Sequence, residues 1–288
     1  MSTLLKGAPV AKDLMEGVLE RASALLRAGT VPTLALIRIG NRPEDISYET
    51  GIEKRCAQAG VRLQKHLFTE DVTEDRLLET VNGINADPAV HGAILLLPFP
   101  AQIDGEATRC ALLPEKDMDG ITDGSLAGVF AGVSRGYAPC TAQACMSILA
   151  YYGVHCTGKR AVVIGRSLVV GRPAAMLLLH RNATVTICHT RTENLPAIAR
   201  EADILIVAAG RPGVVGKECF RPGQTVIDVG VHPGPDGTLC GDVRFDEAEP
   251  VVEAITPVPG GVGAVTTAVL ISHVIEAAEC ANSLRETV

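Results

Sequence analysis

Residues Ala161–Leu179 read AVVIGRSLVVGRPAAMLLL. A β-branched apolar run meets Gly165, a second glycine follows at Gly171, and a helical pattern takes over: a buried strand, a tight turn and a helix in immediate succession. In such a turn glycine lets the backbone approach a phosphate, the helix N-terminus supplies free N–H groups, and the Ser167 hydroxyl adds a donor. The Gly165 to Gly171 spacing is not G-x-G-x-x-G, and tight turns of this kind also need glycine for steric reasons alone. The next strand ends in ICHTRT (Ile187–Thr192). An NAD site would offer an acid there for the ribose 2′-hydroxyl, whereas Thr190 and Arg191, with Arg166 from the glycine loop, offer donors and positive charge. That favours NADP over NAD, although a solvated basic edge has the same composition. His189 reads as a satisfied structural histidine, since no other ligands converge on it.

Outward from this stretch, helical and apolar segments alternate. Helical periodicity over Ala8–Arg27 stops at Gly29 and is followed by a strand at Val31–Gly40, a helix at Asp45–Ala59, and a strand at Val61–Phe68. A helix at Glu74–Asn85 and a strand at His91–Leu97 come next. A second series begins after Pro139, with helices at Ala142–Tyr152 and Val170–Arg181. Its strands are expected at Arg160–Ile164, Thr184–Cys188, Asp203–Ala208 and Thr225–Val229. The alternation predicts an α/β protein of two domains: an N-terminal parallel-sheet domain and a doubly wound, Rossmann-type nucleotide-binding domain. The boundary falls near GYAPCT (Gly136–Thr141). A Pro/Gly-rich loop from Ile255 turns into a long helix that folds back onto the first domain, giving 1–138 plus 266–288 for that domain and 139–265 for the second.

The chain has 288 residues, 47% of them hydrophobic, and a net charge of -7, enough to bury a substantial core. It has no Trp, few other aromatics and no long Lys/Arg run, which removes both the charge and the stacking platforms of a nucleic-acid binder. Apolar stretches such as Ile94–Pro100 fall well short of the roughly 20 residues that span a bilayer. The N-terminal helix carries Asp13, Glu16 and Glu20 among its apolar positions, unlike a secretory signal, so a cytoplasmic protein with no membrane partner is expected. Nine cysteines without a CxxC pair argue for reduced, mostly buried thiols, and against a disulfide framework or a metal site.

Several segments together resemble one family, the bifunctional methylenetetrahydrofolate dehydrogenase/methenyltetrahydrofolate cyclohydrolases. They are PEKDMDG (Pro114–Gly120), PCT (Pro139–Thr141), VIGRSLVVGRP (Val163–Pro173), TVTICHTRT (Thr184–Thr192), VIDVG (Val226–Gly230) and ITPVPGGVG (Ile255–Gly263). The resemblance implies a folate substrate in a cleft between the domains, NADP on the second domain, and a homodimer. It implies hydride transfer from 5,10-methylenetetrahydrofolate, followed in most members by water attack on the methenyl product. The first step is mainly a matter of positioning, while the second requires an activated water and managed proton transfers.

Carried over position by position, Tyr48 matches the tyrosine that stacks along the folate, and Asp119 the aspartate that binds the pterin's amino and N3 edge. Read without the resemblance, Tyr48 is a partly buried helix tyrosine and Asp119 a turn aspartate before Gly120. Leu97, Pro98 and Gly263 fall at substrate-binding positions. Thr141, Gly165, Arg166, Ser167, Thr190, Arg191, Val231 and Thr266 fall at cofactor-binding positions.

Two catalytic positions depart from the pattern. Where the family has a lysine four residues after the tyrosine, this chain has Ile52; where it has a glutamine in its VQLPLP-like strand end, LLLPFP places Leu96. Neither side chain can donate or accept a proton. Lys54 lies about 200° around the helix from Ile52 and points away, and Arg55, on the Tyr48 stripe, is a poor proton shuttle that could instead hold a folate glutamate tail. Gly51 loosens the same helix, and Ala264-Val265 replace a common Pro-Met. The expected function is NADP-dependent oxidation of 5,10-methylenetetrahydrofolate with the cyclohydrolase step weak or absent. The alternatives are the full bifunctional enzyme making 10-formyltetrahydrofolate, a diverged paralogue acting on another one-carbon or pterin substrate, and a non-catalytic binding protein.

Overall fold

The computed structural model describes residues 2–234 and 237–286. The chain opens with β1 (Thr3–Leu4) and α1 (Gly7–Arg27), then alternates β2 (Thr33–Ile39), α2 (Pro43–Ala59), β3 (Arg62–Phe68), α3 (Glu74–Ala86) and β4 (Gly92–Leu95). Two shorter helices follow, α4 (Gly105–Ala111) and α5 (Asp123–Ala131). The next series is α6 (Cys140–Tyr151), β5 (Arg160–Ile164), α7 (Gly171–His180), β6 (Thr184–Cys188), α8 (Leu195–Glu201), β7 (Ile204–Val207) and β8 (Thr225–Asp228). A small hairpin of β9 (His232–Pro233) and β10 (Leu239–Cys240), then α9 (Phe245–Ala248), β11 (Ala254–Ile255) and α10 (Thr266–Glu286), complete the order.

These elements form two compact units, one of residues 13–140 and 267–288, the other of 1–12 and 141–266. In the first, β2 is the middle strand of a parallel sheet ordered β3-β2-β4. Its seven residues are all buried, so it reads as a near-continuous apolar run instead of an alternation. Ala35, Ile37 and Ile39 pack with Leu77, Val81 and Ile84 of α3 and with Ala93 and Leu95 of β4. Helix α2 starts on Pro43 with Glu44 and Asp45 in its first turn, and ends where Gly60 takes φ +66°. Helix α10 returns to this unit: Arg21 Nε donates to Glu279 at 2.9 Å and the Thr30 hydroxyl to Asn282 at 3.0 Å.

By length and composition alone, Val262–Ser283 could cross a membrane, small and polar residues interrupting its apolar run, but 56% of its most apolar window is buried within the protein. It is a core helix.

The second unit holds an all-parallel sheet in the order β1-β11-β8-β7-β5-β6. From β5 the chain steps outward to β6, then crosses back to β7 on the other side, so the strand order reverses between β5 and β7. Ligands of doubly wound sheets bind outside the strand C-termini at such a point. Val162, Ile164, Leu205, Val207, Val226 and Ile255 fill its core. Residues 1–12, expected with the first unit, belong here instead because β1 pairs with β11 at the sheet edge, Thr3 opposite Ala254.

Candidate active site

At the C-terminal end of β5 the backbone crosses itself too closely for side chains. Gly165 has φ +131°, and a Cβ there would lie 2.1 Å from the Ala208 carbonyl oxygen at the end of β7; a Cβ on Gly171 would lie 2.2 Å from the Gly165 oxygen. Both glycines are therefore required by the crossing itself, because the chain's own carbonyls take the space that a Cβ would need. The helix start does not offer all the free N–H groups expected of it. Ser167 Oγ accepts from Val170 N at 3.1 Å and Gly171 N at 3.4 Å, and Ser167 O accepts from Arg172 N at 3.1 Å. The Ser167 lone pairs serve its own helix, and what it can offer a ligand is its O–H proton.

The register of β5 with β6, Ile164 opposite Cys188, brings the Arg166 turn and the Thr190–Arg191 turn to the same sheet end. Arg166, Ser167, Thr190 and Arg191 are all exposed. His189 is used structurally: its Nδ1 accepts from Arg191 N at 3.1 Å. Val231 is exposed beyond β8, and the Thr266 hydroxyl donates to Gly263 O at 3.2 Å at the start of α10. Thr141 is half-buried in the first turn of α6.

Two acids that the sequence did not single out organise this end of the sheet. The buried Asp242 carboxylate accepts from the backbone N–H groups of Ala209, Gly210 and Arg211, at 2.6, 2.9 and 2.9 Å, and faces His232 Nε2 at 2.7 Å. It thereby fixes the loop leaving β7 at the strand-order reversal. Asp228 in turn accepts from the N–H groups of Gly230, Asp242 and Val243 at 3.0–3.1 Å. Burial pushes Asp228 up to about 6, against the pull of those three N–H groups. A Cβ on Gly241 would collide with the Asp228 carboxylate. The signal lay in acids at the strand end VIDVG and beside the glycine of CGDV, but their N–H partners are spread along the chain.

In the first unit, α2 buries Asp45, Glu49, Ile52, Cys56 and Ala59 along one stripe, with Tyr48 and Arg55 half-buried on its border and Lys54 exposed. Glu49 anchors the helix to the sheet: it pairs with Arg38 Nε of β2 at 2.7 Å and with Lys65 Nζ of β3 at 2.8 Å. Burial raises the Glu49 carboxyl, yet Lys65 and Arg38 outweigh it and hold the group below its ordinary range. Ile52 sits at the centre of the stripe with 0% of its surface accessible, and Leu96, next after β4, has 5%. Leu96 N continues the ladder by donating to Ile37 O at 2.9 Å; Leu97 and Pro98 beyond it are exposed. Arg55 makes no ion pair among the described residues.

Asp119 stands in the turn after Met118. Although part of the residue reaches solvent, burial of the carboxyl and the charge of Asp117 push it up to about 7. The structure thus gathers Tyr48, Ile52, Leu96, Leu97, Pro98 and Asp119 in one unit. It places Gly263 with the glycine-loop residues in the other. No cluster of three or more His, Cys, Asp or Glu residues suited to a metal occurs among the described residues.

The catalytic domain of the tetrahydrofolate dehydrogenase/cyclohydrolase family matches residues 5–119, and that family's NAD(P)-binding domain matches residues 139–282. The chain belongs to this family. Among relatives of the tetrahydrofolate dehydrogenase/cyclohydrolases, the bifunctional protein FolD of Carboxydothermus hydrogenoformans is 46% identical over 286 residues, covering 99% of this chain and all of that protein. The crystal structure of the bifunctional FolD of Campylobacter jejuni superposes with a TM-score of 0.94 at 34% identity, covering 97% of this chain and 99% of that one. The Trypanosoma brucei FolD, solved with NADP cofactor and an inhibitor, gives 0.91 at 35% identity, with 99% of each chain covered.

Proposed function

We propose that this tetrahydrofolate dehydrogenase/cyclohydrolase oxidises 5,10-methylenetetrahydrofolate to the 5,10-methenyl form with NADP, and that its cyclohydrolase step is weak or absent. The observation that carries the second half is the pair Ile52 and Leu96: both aliphatic, both buried, at the positions where the family resemblance puts a lysine and a glutamine. NADP, when bound, supplies the hydride acceptor. The chain's own residues bind and orient. The glycine turn after β5 stands where doubly wound sheets take a pyrophosphate, and the Ser167 hydroxyl, Thr190, Arg166 and Arg191 offer donors and positive charge to a 2′-phosphate. Tyr48 stacks along the pterin, and the Asp119 carboxylate accepts two N–H bonds from its amino and N3 edge. Arg55, without an ion pair among the described residues, is free to meet the glutamate tail.

Hydride loss from the methylene carbon is driven by the substrate's own N5 lone pair and needs no proton carried by the protein. Water attack on the methenyl product does need one, and aliphatic side chains at 52 and 96 can neither hold that water nor move its proton. The name of the Carboxydothermus relative, a bifunctional protein, favours the second reading, in which both steps survive. The same proposal takes the enzyme as a cytoplasmic homodimer; sedimentation of the purified protein tests the dimer, and fractionation of cells tests the location.

The deciding experiment follows NADPH and methenyltetrahydrofolate separately after mixing protein, 5,10-methylenetetrahydrofolate and NADP. The expected result is that both rise together and the methenyl signal decays at its spontaneous rate. Faster decay overturns the missing second step, and no rise in either signal moves the substrate to another one-carbon or pterin carrier. Ile52→Lys with Leu96→Gln should then speed methenyl decay while leaving the NADPH rate of the same order.

A further inference from the structure

The turn that carries Asp119 is held by groups the proposed reaction does not use. Met118 N donates to Ala93 O of β4 at 3.1 Å. The Met118 carbonyl accepts twice, from His273 Nδ1 of α10 at 2.9 Å and from Cys140 Sγ of α6 at 3.2 Å. His273 and Cys140 are both buried, and Sγ and Nδ1 lie 3.9 Å apart on that one oxygen. Because the peptide is planar, fixing the Met118 carbonyl fixes the plane that ends at the Asp119 Cα. On the other side Gly120 has φ +67°, and a Cβ there would lie 2.5 Å from both Tyr137 O and Pro139 N. The Tyr137 ring stacks on His273, centroids 4.9 Å apart and planes tilted by 33°. Asp117 closes the far end of the turn through Thr122 N and the Ser125 hydroxyl, each at 2.7 Å. Asp119 therefore has little freedom except rotation of its own side chain.

We propose that His273 is a positioning residue for Asp119: by donating Nδ1–H to the Met118 carbonyl alongside Cys140, it sets the peptide that aims the Asp119 carboxyl at the pterin edge. This rests on the reading of Asp119 as the folate anchor. Neutral imidazole with the proton on Nδ1 is the form the contact needs, and the apolar surroundings hold His273 below the usual histidine range.

The test uses steady-state kinetics with 5,10-methylenetetrahydrofolate and NADP. His273→Leu is expected to raise the folate KM about tenfold, the equivalent of one lost hydrogen bond, with kcat within about twofold and the NADP KM unmoved. His273→Asn, whose amide nitrogen can stand where Nδ1 stood, restores the folate KM; His273→Gln, which reaches where Nε2 stood, does not. These two polar variants carry the test if the leucine variant fails to fold. In an Asp119→Asn background, His273→Leu adds nothing to the folate KM. Equal effects of Asn and Gln, or full additivity with Asp119→Asn, overturn the proposal while leaving the anchor intact. An Asp119→Asn enzyme with an unchanged folate KM overturns the anchor reading and removes the clamp's purpose with it.

Discussion

Asp242 and Asp119 are both acids enclosed by protein, and they are treated in opposite ways. Asp242 takes three backbone N–H groups and the His232 ring, so its acceptor capacity is largely spent on the fold. Asp119 gets no comparable set of donors and feels the repulsion of Asp117, and burial with that repulsion pushes its carboxyl up to about 7. A carboxylate satisfied by its own chain is scaffold, whereas one left short of donors is available to a ligand that brings them.

The largest effect expected from this contrast is on stability. Asp242→Ala leaves three N–H groups near the strand-order reversal without their acceptor and should cost about 3–5 kcal/mol, read as a lower urea midpoint. A loss under about 1 kcal/mol would show that the acid is not holding the loop. Asp119→Asn should do the reverse. It should weaken folate binding about ten- to a hundredfold by removing a charge-assisted pair, without lowering the thermal midpoint, because it deletes a carboxyl the fold does not satisfy.

The pH dependence sharpens the same point. The Asp119 pKa is raised in the folded protein from 3.8 to about 7, so its contribution to stability is complete below about 4 and lost as pH rises through 7. Folate N–H groups prefer the carboxylate, so the folate KM should fall between pH 6 and 8 and binding should release a proton. A flat profile, or one unchanged in Asp119→Asn, would break the comparison. The smallest effect concerns Gly51, in the middle of α2. A Cβ there would meet only Thr267 Cγ2 at 3.9 Å, so Gly51→Ala should stabilise by about 0.5–1 kcal/mol in urea unfolding.

Long elements were legible because burial leaves a mark on sequence, a continuous apolar run in a strand covered on both faces and a period in a helix covered on one. The apolar run Val31–Gly40 gave β2, and the spacing of Tyr48, Ile52 and Arg55 gave the buried face of α2 with its border. The two-residue strands β1 and β11 have no period, and the assignment of residues 1–12 failed with them. Ile52 and Leu96 could be recognised as apolar at polar positions, but their burial comes from residues far along the chain. The same holds for Asp228, Asp242 and His273: each side chain finds its partners on other segments, and nothing in the local sequence names a distant carbonyl or N–H. Ser167 was seen as a donor and turned out to spend its lone pairs on its own helix, since a hydroxyl beside a helix start caps it first.

The link from Asp228 to Asp242 has a consequence for how the protein breathes. Asp228 holds the amides of Asp242 and Val243, and the Asp242 carboxylate holds those of Ala209, Gly210 and Arg211. Opening either carboxylate frees the other, so these five amide protons should exchange with deuterium with one common opening free energy, as a single cooperative unit spanning two stretches of chain more than thirty residues apart.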